Sequence, residues 1–205
     1  MEQRDKEWYA LRCGMITASK YPLLVKLDGT MKDGETAYSY IMQLLAERLG
    51  YDDGEPDGAM TTRAMEHGVM YEPVAIESYE RAVFNKVDRI PFVKHPTLNT
   101  GGSPDGLVGD DGIVEVKCPY QVVNHIRTMV RNEVPNDYKA QIQGYLWLTD
   151  REYCDYISYN PYINGPYQMH VIRVYRDQKY IDALAVSVSN WCRVLDDMES
   201  ELMGV

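Results

Sequence analysis

The sequence predicts an α/β fold in which a mixed central β-sheet is flanked by helices, and three observations support this prediction. Amphipathic segments long enough for helices occur in the first half of the chain and at its end. Short apolar segments between them fit strands. A turn rich in glycine, proline and aspartate, at residues 101 to 106, introduces a β-hairpin. The 205 residues, 45 % of them hydrophobic, suffice for one domain spanning residues 1–205.

The N-terminal part is predicted to form two short helices. Residues 4 to 12 have helical spacing, and Gly14 ends this segment. Thr17 or Ser19 then offers an N-cap for a helix of residues 20 to 24, because a hydroxyl oxygen can accept a hydrogen bond from an unpaired backbone N–H group.

Two longer helices are predicted next, over residues 36 to 49 and about 61 to 83. The first carries an apolar stripe typical of a helix that faces a core: Ile41, Leu44, Leu45 and Leu49. The second places a carboxylate among apolar side chains at helical spacing: Met65, Val69, Glu72 and Ile76. Because a bare buried carboxylate is costly, Glu72 is either a paired or snorkelling glutamate or an acidic group close to a metal.

The second half of the chain alternates strands and helices. The predicted strands are residues 86–94, 107–109, 113–117, 153–159 and 167–174, and the predicted helices are residues 122–132, 137–148 and 177–203. On the second of these helices Gln141 shares a face with Tyr138, Tyr145 and Leu148, whereas Gln143 points elsewhere. The last helix has an apolar stripe that suits a core or a subunit contact: Leu184, Val188, Trp191 and Leu195.

The predicted hairpin brings three charged side chains together. Gly-Gly-Ser-Pro-Asp-Gly, residues 101 to 106, is turn material, and Asp105 lies where the first hairpin strand starts. Side chains alternate along a strand, so Glu115 and Lys117 share one face of the second strand, opposite the apolar neighbours that face the core. Because the hairpin folds back on itself, we expect the three groups to converge at an edge of the sheet.

Two carboxylates and an ammonium in one place suit the hydrolysis of a phosphodiester. Hard cations such as Mg²⁺ prefer oxygen ligands. Held against a phosphate, such an ion activates a water molecule and stabilises the developing charge. A lysine beside the ion can orient the attacking water. The alternative is a surface hairpin with a solvated charged face, as is common among alternating strands. The Ser-Pro-Asp-Gly turn ahead of Glu115 favours the catalytic interpretation.

Five motifs, spread over roughly residues 5 to 160, resemble those of the phage lambda exonuclease family in the same order. Residues 104–105 and 115–117 match the PD-(D/E)XK nuclease signature that this family carries. The five motifs are Glu7-Trp8-Tyr9-Ala10-Leu11-Arg12, Ile16-Thr17-Ala18-Ser19, His67-Gly68 with Tyr71-Glu72-Pro73, Gly102-Ser103-Pro104-Asp105-Gly106 and Tyr138-Lys139-Ala140-Gln141-Ile142-Gln143. The resemblance implies a restriction-endonuclease-like core. It also implies Mg²⁺-dependent, processive 5′→3′ hydrolysis of one strand of duplex DNA, which leaves a 3′ overhang for recombination.

The resemblance also implies roles for individual residues. Two Mg²⁺ ions, for which Mn²⁺ could substitute, would be held by Asp105, Glu115, the main-chain carbonyl of Val116 and, as a further candidate, Glu72. Lys117 and Gln141 would position the attacking water.

The terminal 5′-phosphate would be held by Arg12, Ser19 and Ser103. Taken without the resemblance, Arg12 is a surface cation and Ser19 a helix cap. The planar fork of arginine suits a terminal phosphate, and hydroxyl groups add donors. Family members form ring-shaped homotrimers and work beside a single-strand annealing recombinase, so a homotrimer and such a partner are implied as well.

The net charge of −10 is the main objection to a protein that acts on DNA, because such proteins usually have a basic surface. Much of the negative charge lies in two clusters, one in a loop and one in the C-terminal tail: Asp52, Asp53, Glu55 and Asp57, and Asp196, Asp197, Glu199 and Glu201. Bound Mg²⁺ would also reverse the sign of the local field. Arg127 and Arg131, four residues apart, are candidate contacts to the DNA backbone, although charged helix faces are usually only solvated.

The remaining composition predicts a cytoplasmic protein without a membrane segment. No apolar run approaches the ~20 residues of a membrane span, and the N-terminus lacks the apolar core of a signal peptide. The four cysteines are dispersed, which argues against a zinc site and against disulfides. Two alternative functions remain open. One is an endonuclease or structure-specific nuclease on the same core, and the other is a non-catalytic protein that binds DNA ends.

Overall fold

A computed structural model of the chain describes residues 3–51 and 62–204. Its helices are α1 (Lys6–Arg12), α2 (Tyr21–Leu24), α3 (Glu35–Arg48), α4 (Arg63–Val83), α5 (Val122–Arg131), α6 (Lys139–Thr149) and α7 (Gln178–Met203). Its strands are β1 (Ile16–Thr17), β2 (Val87–Asp88), β3 (Val93–Lys94), β4 (Thr100–Gly102), β5 (Gly106–Val108), β6 (Gly112–Lys117), β7 (Tyr153–Tyr159) and β8 (Met169–Tyr175). In the described part of the chain, no helix is both long and apolar enough to cross a membrane.

The strands form two sheets. The larger sheet has the order β2-β5-β6-β7-β8, in which β6 and β7 are parallel and the other pairs are antiparallel. The smaller sheet has the order β1-β4-β3, and its parallel pair joins Ile16 to Thr100. Helices α5 and α6 lie in the crossover between the two parallel strands of the larger sheet. The predicted α/β fold with a mixed sheet and flanking helices is therefore confirmed.

Both faces of the larger sheet are covered by helices. On one face α3, α6 and α7 contribute buried residues that pack with Ile113 and Tyr156 of the sheet. On the other face α4 packs Ala75 and Tyr79 against Val114. The predicted stripe of α7 is completely buried in the first of these cores, so it is a core stripe: Leu184, Val188, Trp191 and Leu195.

Several helices begin where an acceptor side chain caps an early N–H group. Asp5 accepts a hydrogen bond of 2.7 Å from the Trp8 amide at the start of α1, and Asp177 accepts one from the Tyr180 amide at the start of α7. The predicted cap of the second short helix is wrong. Thr17 is the N-cap residue of a single helical turn, Ala18–Lys20, that leads into α2, but its side chain makes no capping hydrogen bond. Ser19 lies inside this turn and caps nothing.

Two further expectations are corrected, and a third falls largely outside the described residues. Leu49 is half exposed, because α3 ends at Arg48 and the stripe stops with it. Met65 and Val69 share their side of α4 with Glu72, but they are exposed and face a cleft instead of the core. The predicted acidic loop of residues 51 to 58 lies, apart from its first residue, outside the described residues. In the acidic tail, Asp196 and Glu199 pair with the guanidinium of Arg48.

The single strand predicted over residues 86 to 94 is two short strands in different sheets. Strand β2 pairs with β5, whereas β3 pairs with β4. Pro91 lies between them and has no N–H group to donate to a ladder. Its carbonyl oxygen instead accepts hydrogen bonds from Trp8 and Ser103. The break lets the chain pass from the larger sheet to the smaller one.

Candidate active site between the two sheets

The turn between the two sheets holds Asp105 against the middle of the larger sheet. Its backbone amide donates to the carbonyl of Val114 at 3.1 Å, and its carboxylate Oδ2 accepts a hydrogen bond of 2.6 Å from the backbone amide of Val116. The predicted convergence with β6 is thus present. The predicted place is wrong, however, because β6 pairs with a strand on each side and is not at an edge of the sheet. The site therefore lies deeper than expected.

Glu115 is the centre of the candidate site. Its side chain is almost completely buried, and its Oε1 contacts the Lys117 ammonium at 2.5 Å. The same oxygen accepts a hydrogen bond of 2.8 Å from the amide of Gln141, which also donates to the hydroxyl of Tyr145. Gln143 points away from the site, as predicted, and binds backbone groups at the end of β8. The expectation that Gln141 faces the site is confirmed.

The electrostatics of the site reflect two carboxylates buried together. Burial raises the pKa of Asp105 well above its usual range, and the charges of Glu115 and Glu72 raise it further. Burial also raises the pKa of Glu115, although Lys117 opposes the shift. Burial alone would lower the pKa of Lys117, but the two carboxylates outweigh this effect and raise it. Lys117 is therefore an ammonium at neutral pH. Its single positive charge does not offset the burial and mutual repulsion that raise the pKa values of the two carboxylates.

This donor set fits a hard divalent cation. Asp105, Glu115 and the carbonyl of Val116 offer oxygen ligands, and Mg²⁺ usually combines one or two carboxylates with several waters. A cation would also relieve the repulsion that raises the pKa of both acids. Among residues 3–51 and 62–204 no group of three or more His, Cys, Asp and Glu side chains is arranged to hold a metal. The fit is thus to a cation with few protein ligands.

Glu72 is paired with arginines in the structure. Its Oε2 accepts from Arg4 at 2.7 Å and its Oε1 accepts from Arg89 at 2.6 Å. Burial would raise the pKa of Glu72, but the two arginines outweigh burial and lower it. Of the two interpretations drawn from the sequence, the paired glutamate is the arrangement observed. A direct contact of Glu72 with a metal stays a prediction.

Two cavities meet at the site. The larger is a cleft of about 730 Å³, whose wall includes Arg127 and Arg131 of α5. The smaller has a volume of about 150 Å³. It is lined by the residues that the resemblance assigns to the terminal phosphate, Arg12, Ser19 and Ser103, together with Glu115 and Gln141. Asp105 and Lys117 line both cavities, so they lie at the boundary between them.

Trp8 organises the smaller cavity. The guanidinium of Arg12 lies over the Trp8 ring at 3.8 Å from its centroid. The indole N–H of Trp8 donates to the hydroxyl oxygen of Ser103 at 2.9 Å, and that hydroxyl donates to the Pro91 carbonyl at 2.7 Å. The hydroxyl of Ser19 lies 3.4 Å from that of Thr17. The three predicted phosphate ligands are thus brought to one cavity, and their binding of phosphate stays a prediction.

Sequence reasoning missed three contributors to the site. Arg4 and Arg89 hold Glu72, and Tyr145 accepts from Gln141. The helical spacing of Tyr145 with Gln141 signalled its place, although not its contact. For Arg4 and Arg89 the sequence carries no such signal, because they reach Glu72 from segments 68 and 17 residues away along the chain.

The chain is similar to nucleases over nearly all of its length. The model of a family described as the YqaJ-like viral recombinase domain matches residues 7–152. The crystal structure of an alkaline exonuclease, LHK-Exo from Laribacter hongkongensis, superposes with a TM-score of 0.85 at 30% identity, over 97% of this chain and 96% of that one. The same exonuclease in complex with dAMP matches at 31% identity, with the same TM-score and coverage.

A more distant similarity supports the fold alone. A phage related exonuclease from Haemophilus somnus 129PT has a TM-score of 0.70 at 18% identity, over 92% of this chain and 96% of that one. No curated protein matches the sequence.

Proposed function

Because the chain belongs to the YqaJ-like viral recombinase family and is a nuclease of the alkaline exonuclease type, we propose that it is a Mg²⁺-dependent, processive 5′→3′ exonuclease. Its substrate would be double-stranded DNA with a 5′-phosphorylated end, and its action would leave a 3′ single-stranded overhang for phage-type recombination. The resemblance to the phage lambda exonuclease family that the motifs predicted is confirmed.

One observation carries the proposal. Asp105 and Lys117 lie at the boundary of two cavities, one of which contains the candidate phosphate ligands Arg12, Ser19 and Ser103. This arrangement would hold a terminal phosphate on one side of the hydrolytic groups and the rest of the DNA on the other. The related exonuclease was solved with dAMP, a nucleoside monophosphate. We therefore propose mononucleotides as the product.

The chain's own residues would divide the work of hydrolysis. Asp105, Glu115 and the Val116 carbonyl would hold two Mg²⁺ ions, or Mn²⁺ in their place. The bound metal would supply Lewis-acid activation of water and of the scissile phosphate. Lys117 is protonated, so it would donate to the attacking water and orient it instead of accepting a proton from it. Gln141 would keep Glu115 in place through its amide N–H, and its amide oxygen would accept a hydrogen bond from the water.

The wider setting follows from the family resemblance. We propose that residues 1–205 act as one domain in a homotrimer, in the cytoplasm, beside a single-strand annealing recombinase. A ring that encloses the duplex would allow processive digestion despite the net charge of −10.

The test is digestion of a linear duplex that has one 5′-phosphorylated end and one 5′-hydroxyl end, with each strand labelled at its 3′ end. We expect the phosphorylated strand to be lost from its 5′ end when Mg²⁺ is present and to persist in EDTA. Lys117→Ala should abolish this loss. Lys86→Ala is the matched control, because its ammonium is exposed and pairs with Glu80 away from the site.

Other outcomes would replace the proposal. Internal nicks, or equal attack on both ends, would indicate an endonuclease or a structure-specific nuclease. Binding of DNA ends without cleavage under any divalent metal would indicate a non-catalytic end-binding protein.

A further inference from the structure

Arg4 lies where the two cavities meet, although no sequence motif marks it. It lines the larger cleft together with Glu72 and Asp105, and it lines the smaller cavity together with Arg12 and Asp105. Its side chain is 42% exposed. A strand of DNA that runs from one cavity to the other would therefore pass this guanidinium.

The backbone around Arg4 is held on both sides. The side-chain amide of Gln3 donates to the carbonyl oxygens of Ile90 and Pro104, each at 2.9 Å. Asp5 caps the first helix. Arg4 itself has a φ of 74°, a left-handed conformation that is uncommon and costly for a residue other than glycine. Two anchors and a disfavoured conformation indicate that the position of Arg4 matters.

The partners of Arg4 leave it able to bind an anion. Glu72 is shared between Arg4 and Arg89, so the three side chains together carry a net charge of +1. In the described part of the chain each of these guanidinium groups makes a single ion pair, and it reaches one oxygen of Glu72. A guanidinium has five N–H donors, so several donors on Arg4 remain for a phosphate oxygen.

The rest of the larger cleft supports a path for a phosphate backbone. Lys117, Arg127 and Arg131 line the same cleft as Arg4, and Arg12 continues the series of cations into the smaller cavity. The same cleft is also lined by Glu72, Asp105, Glu133 and Asp137, so its four cations are matched by four carboxylates. The cations would therefore act as individual phosphate contacts set between acids and not as a uniformly basic surface.

We propose that Arg4 binds a backbone phosphodiester of the DNA strand that connects the two cavities, and that Glu72 positions Arg4 instead of binding metal. The inference rests on the proposed function, because it assumes DNA as the substrate. It assigns to Arg4 a binding role that no motif of the chain predicts, and to Glu72 the role of holding two arginines.

The first experiment measures DNA binding without catalysis. Fluorescence anisotropy with a 5′-phosphorylated duplex is recorded in EDTA at a series of concentrations between about 50 and 200 mM salt. Arg4→Gln should weaken binding about tenfold and should reduce the slope of log affinity against log salt by about 1, the value expected for one lost phosphate contact. Arg4→Lys should keep the slope, because it keeps the charge, and should weaken binding less.

The matched control is Arg81→Gln. Arg81 is on the same helix as Glu72 and pairs with Glu77 at its exposed surface, so its removal should change neither affinity nor slope. A slope for Arg4→Gln equal to that of the wild type would overturn the role of Arg4. Circular dichroism of each variant shows whether it is folded before the titration is interpreted.

The second experiment separates positioning from metal binding. Glu72→Gln should bind as many Mn²⁺ ions as the wild type, counted by electron paramagnetic resonance, whereas Glu115→Gln should bind fewer. With Mg²⁺, Glu72→Gln should raise KM for DNA ends and leave kcat within about threefold of the wild type, because it loosens Arg4 and Arg89 and leaves the metal ligands Asp105 and Glu115 in place. Loss of a Mn²⁺ ion, or a fall in kcat of about 100-fold, would show that Glu72 is a metal ligand.

The experiments distinguish a failure of the proposed function from a failure of the role assigned to Arg4. If the wild-type protein neither binds nor cleaves duplex DNA, the proposed function fails and this inference fails with it. If the wild type cleaves DNA but Arg4→Gln keeps its salt dependence, only the assignment of Arg4 fails.

Discussion

The carboxylate of Asp105 accepts a hydrogen bond of 2.6 Å from the backbone amide of Val116. Val116 lies between the two charged residues of β6, so this bond aligns the turn with Glu115 and Lys117 at once. The carboxylate is held by the backbone of a central strand and not by a flexible side chain. Such support keeps a reactive group within the small tolerance that catalysis needs.

In metal-free protein, the contribution of Asp105 and Glu115 to stability should fall as the pH rises above about 4. Burial and mutual repulsion raise the pKa values of Asp105 and Glu115 above their ordinary values of 3.8 and 4.5. The unfolded chain therefore loses these protons first, and their loss favours unfolding until the pH passes the raised folded values. Thermal unfolding in EDTA at several pH values should show a shallower decline for Asp105→Asn than for the wild type. Identical declines would contradict this prediction.

Addition of Mg²⁺ should stabilise the wild type and not Asp105→Asn. A ligand that binds only the folded state stabilises it by about 2.7 kcal/mol at 100 times its Kd. For a chain of this size, that corresponds to a rise in Tm of roughly 5–10 °C. Asp105→Asn should also lose at least about 10³-fold in cleavage rate, equivalent to about 4 kcal/mol of activation free energy. A rise in Tm that survives the substitution would place the metal elsewhere.

Two glutamines of α6 should differ in how their substitution affects kcat. Gln141→Leu removes the hydrogen bonds to Glu115 and to the buried Tyr145 hydroxyl, so it should lower kcat about 10- to 100-fold and also destabilise the fold by about 1–3 kcal/mol. Gln143→Leu leaves the Tyr175 carbonyl and the Asp177 amide without their partner, so it should destabilise the fold by about 1–3 kcal/mol and spare kcat. The check is kcat and Tm for both variants. A fall in kcat for Gln143→Leu in folded protein would contradict the assignment of faces.

Trp8→Phe should reduce the preference for phosphorylated ends. The substitution keeps an aromatic ring under Arg12 but removes the indole N–H that donates to Ser103 and to Pro91. We expect KM for 5′-phosphorylated duplex to rise about tenfold, the cost of roughly 1.4 kcal/mol, while kcat stays close to that of the wild type. Trp147→Phe is the control, because Trp147 stacks on His95 away from both cavities. An unchanged preference in Trp8→Phe would mean that Ser103 needs no such support.

Arg48→Met should destabilise the protein without changing the chemistry of the site. The Arg48 side chain is 10% exposed and joins the Gly14 carbonyl to Asp196 and Glu199 of α7. Because both acids are partly exposed, we expect a loss of about 1–3 kcal/mol in the free energy of unfolding. Urea denaturation measures it, with Arg193→Met as a control because Arg193 is exposed and hydrogen-bonds to Asn190 on its own helix. An effect no larger than that of the control would contradict the prediction.

The parts of the site that could be predicted from sequence are those set by local geometry. A turn followed by a two-stranded hairpin determines how Asp105, Glu115 and Lys117 approach one another, and helical periodicity determines which face carries Gln141. These relationships depend on a few neighbouring residues, whose turn chemistry and alternation the sequence displays directly.

The parts that could not be predicted depend on pairings between distant segments. The central position of β6 follows from its parallel pairing with β7 across α5 and α6. The partners of Glu72 come from an N-terminal segment and from the break after β2. The spacing of Met65 and Val69 was interpreted correctly as one helix face, but amphipathicity cannot distinguish a core from the wall of a cleft. Tertiary structure alone decides these points.

The parallel pairing of β1 with β4 has a consequence for how the protein matures. Thr100 donates to the carbonyl of Ile16, a contact between residues 84 positions apart. Contacts of such long sequence separation form slowly, because a large loop must close before they contribute. A nascent or partly folded chain would contain Arg12 and Ser103 but would lack the cavity that unites them. We therefore expect the ability to cut DNA to emerge late in folding.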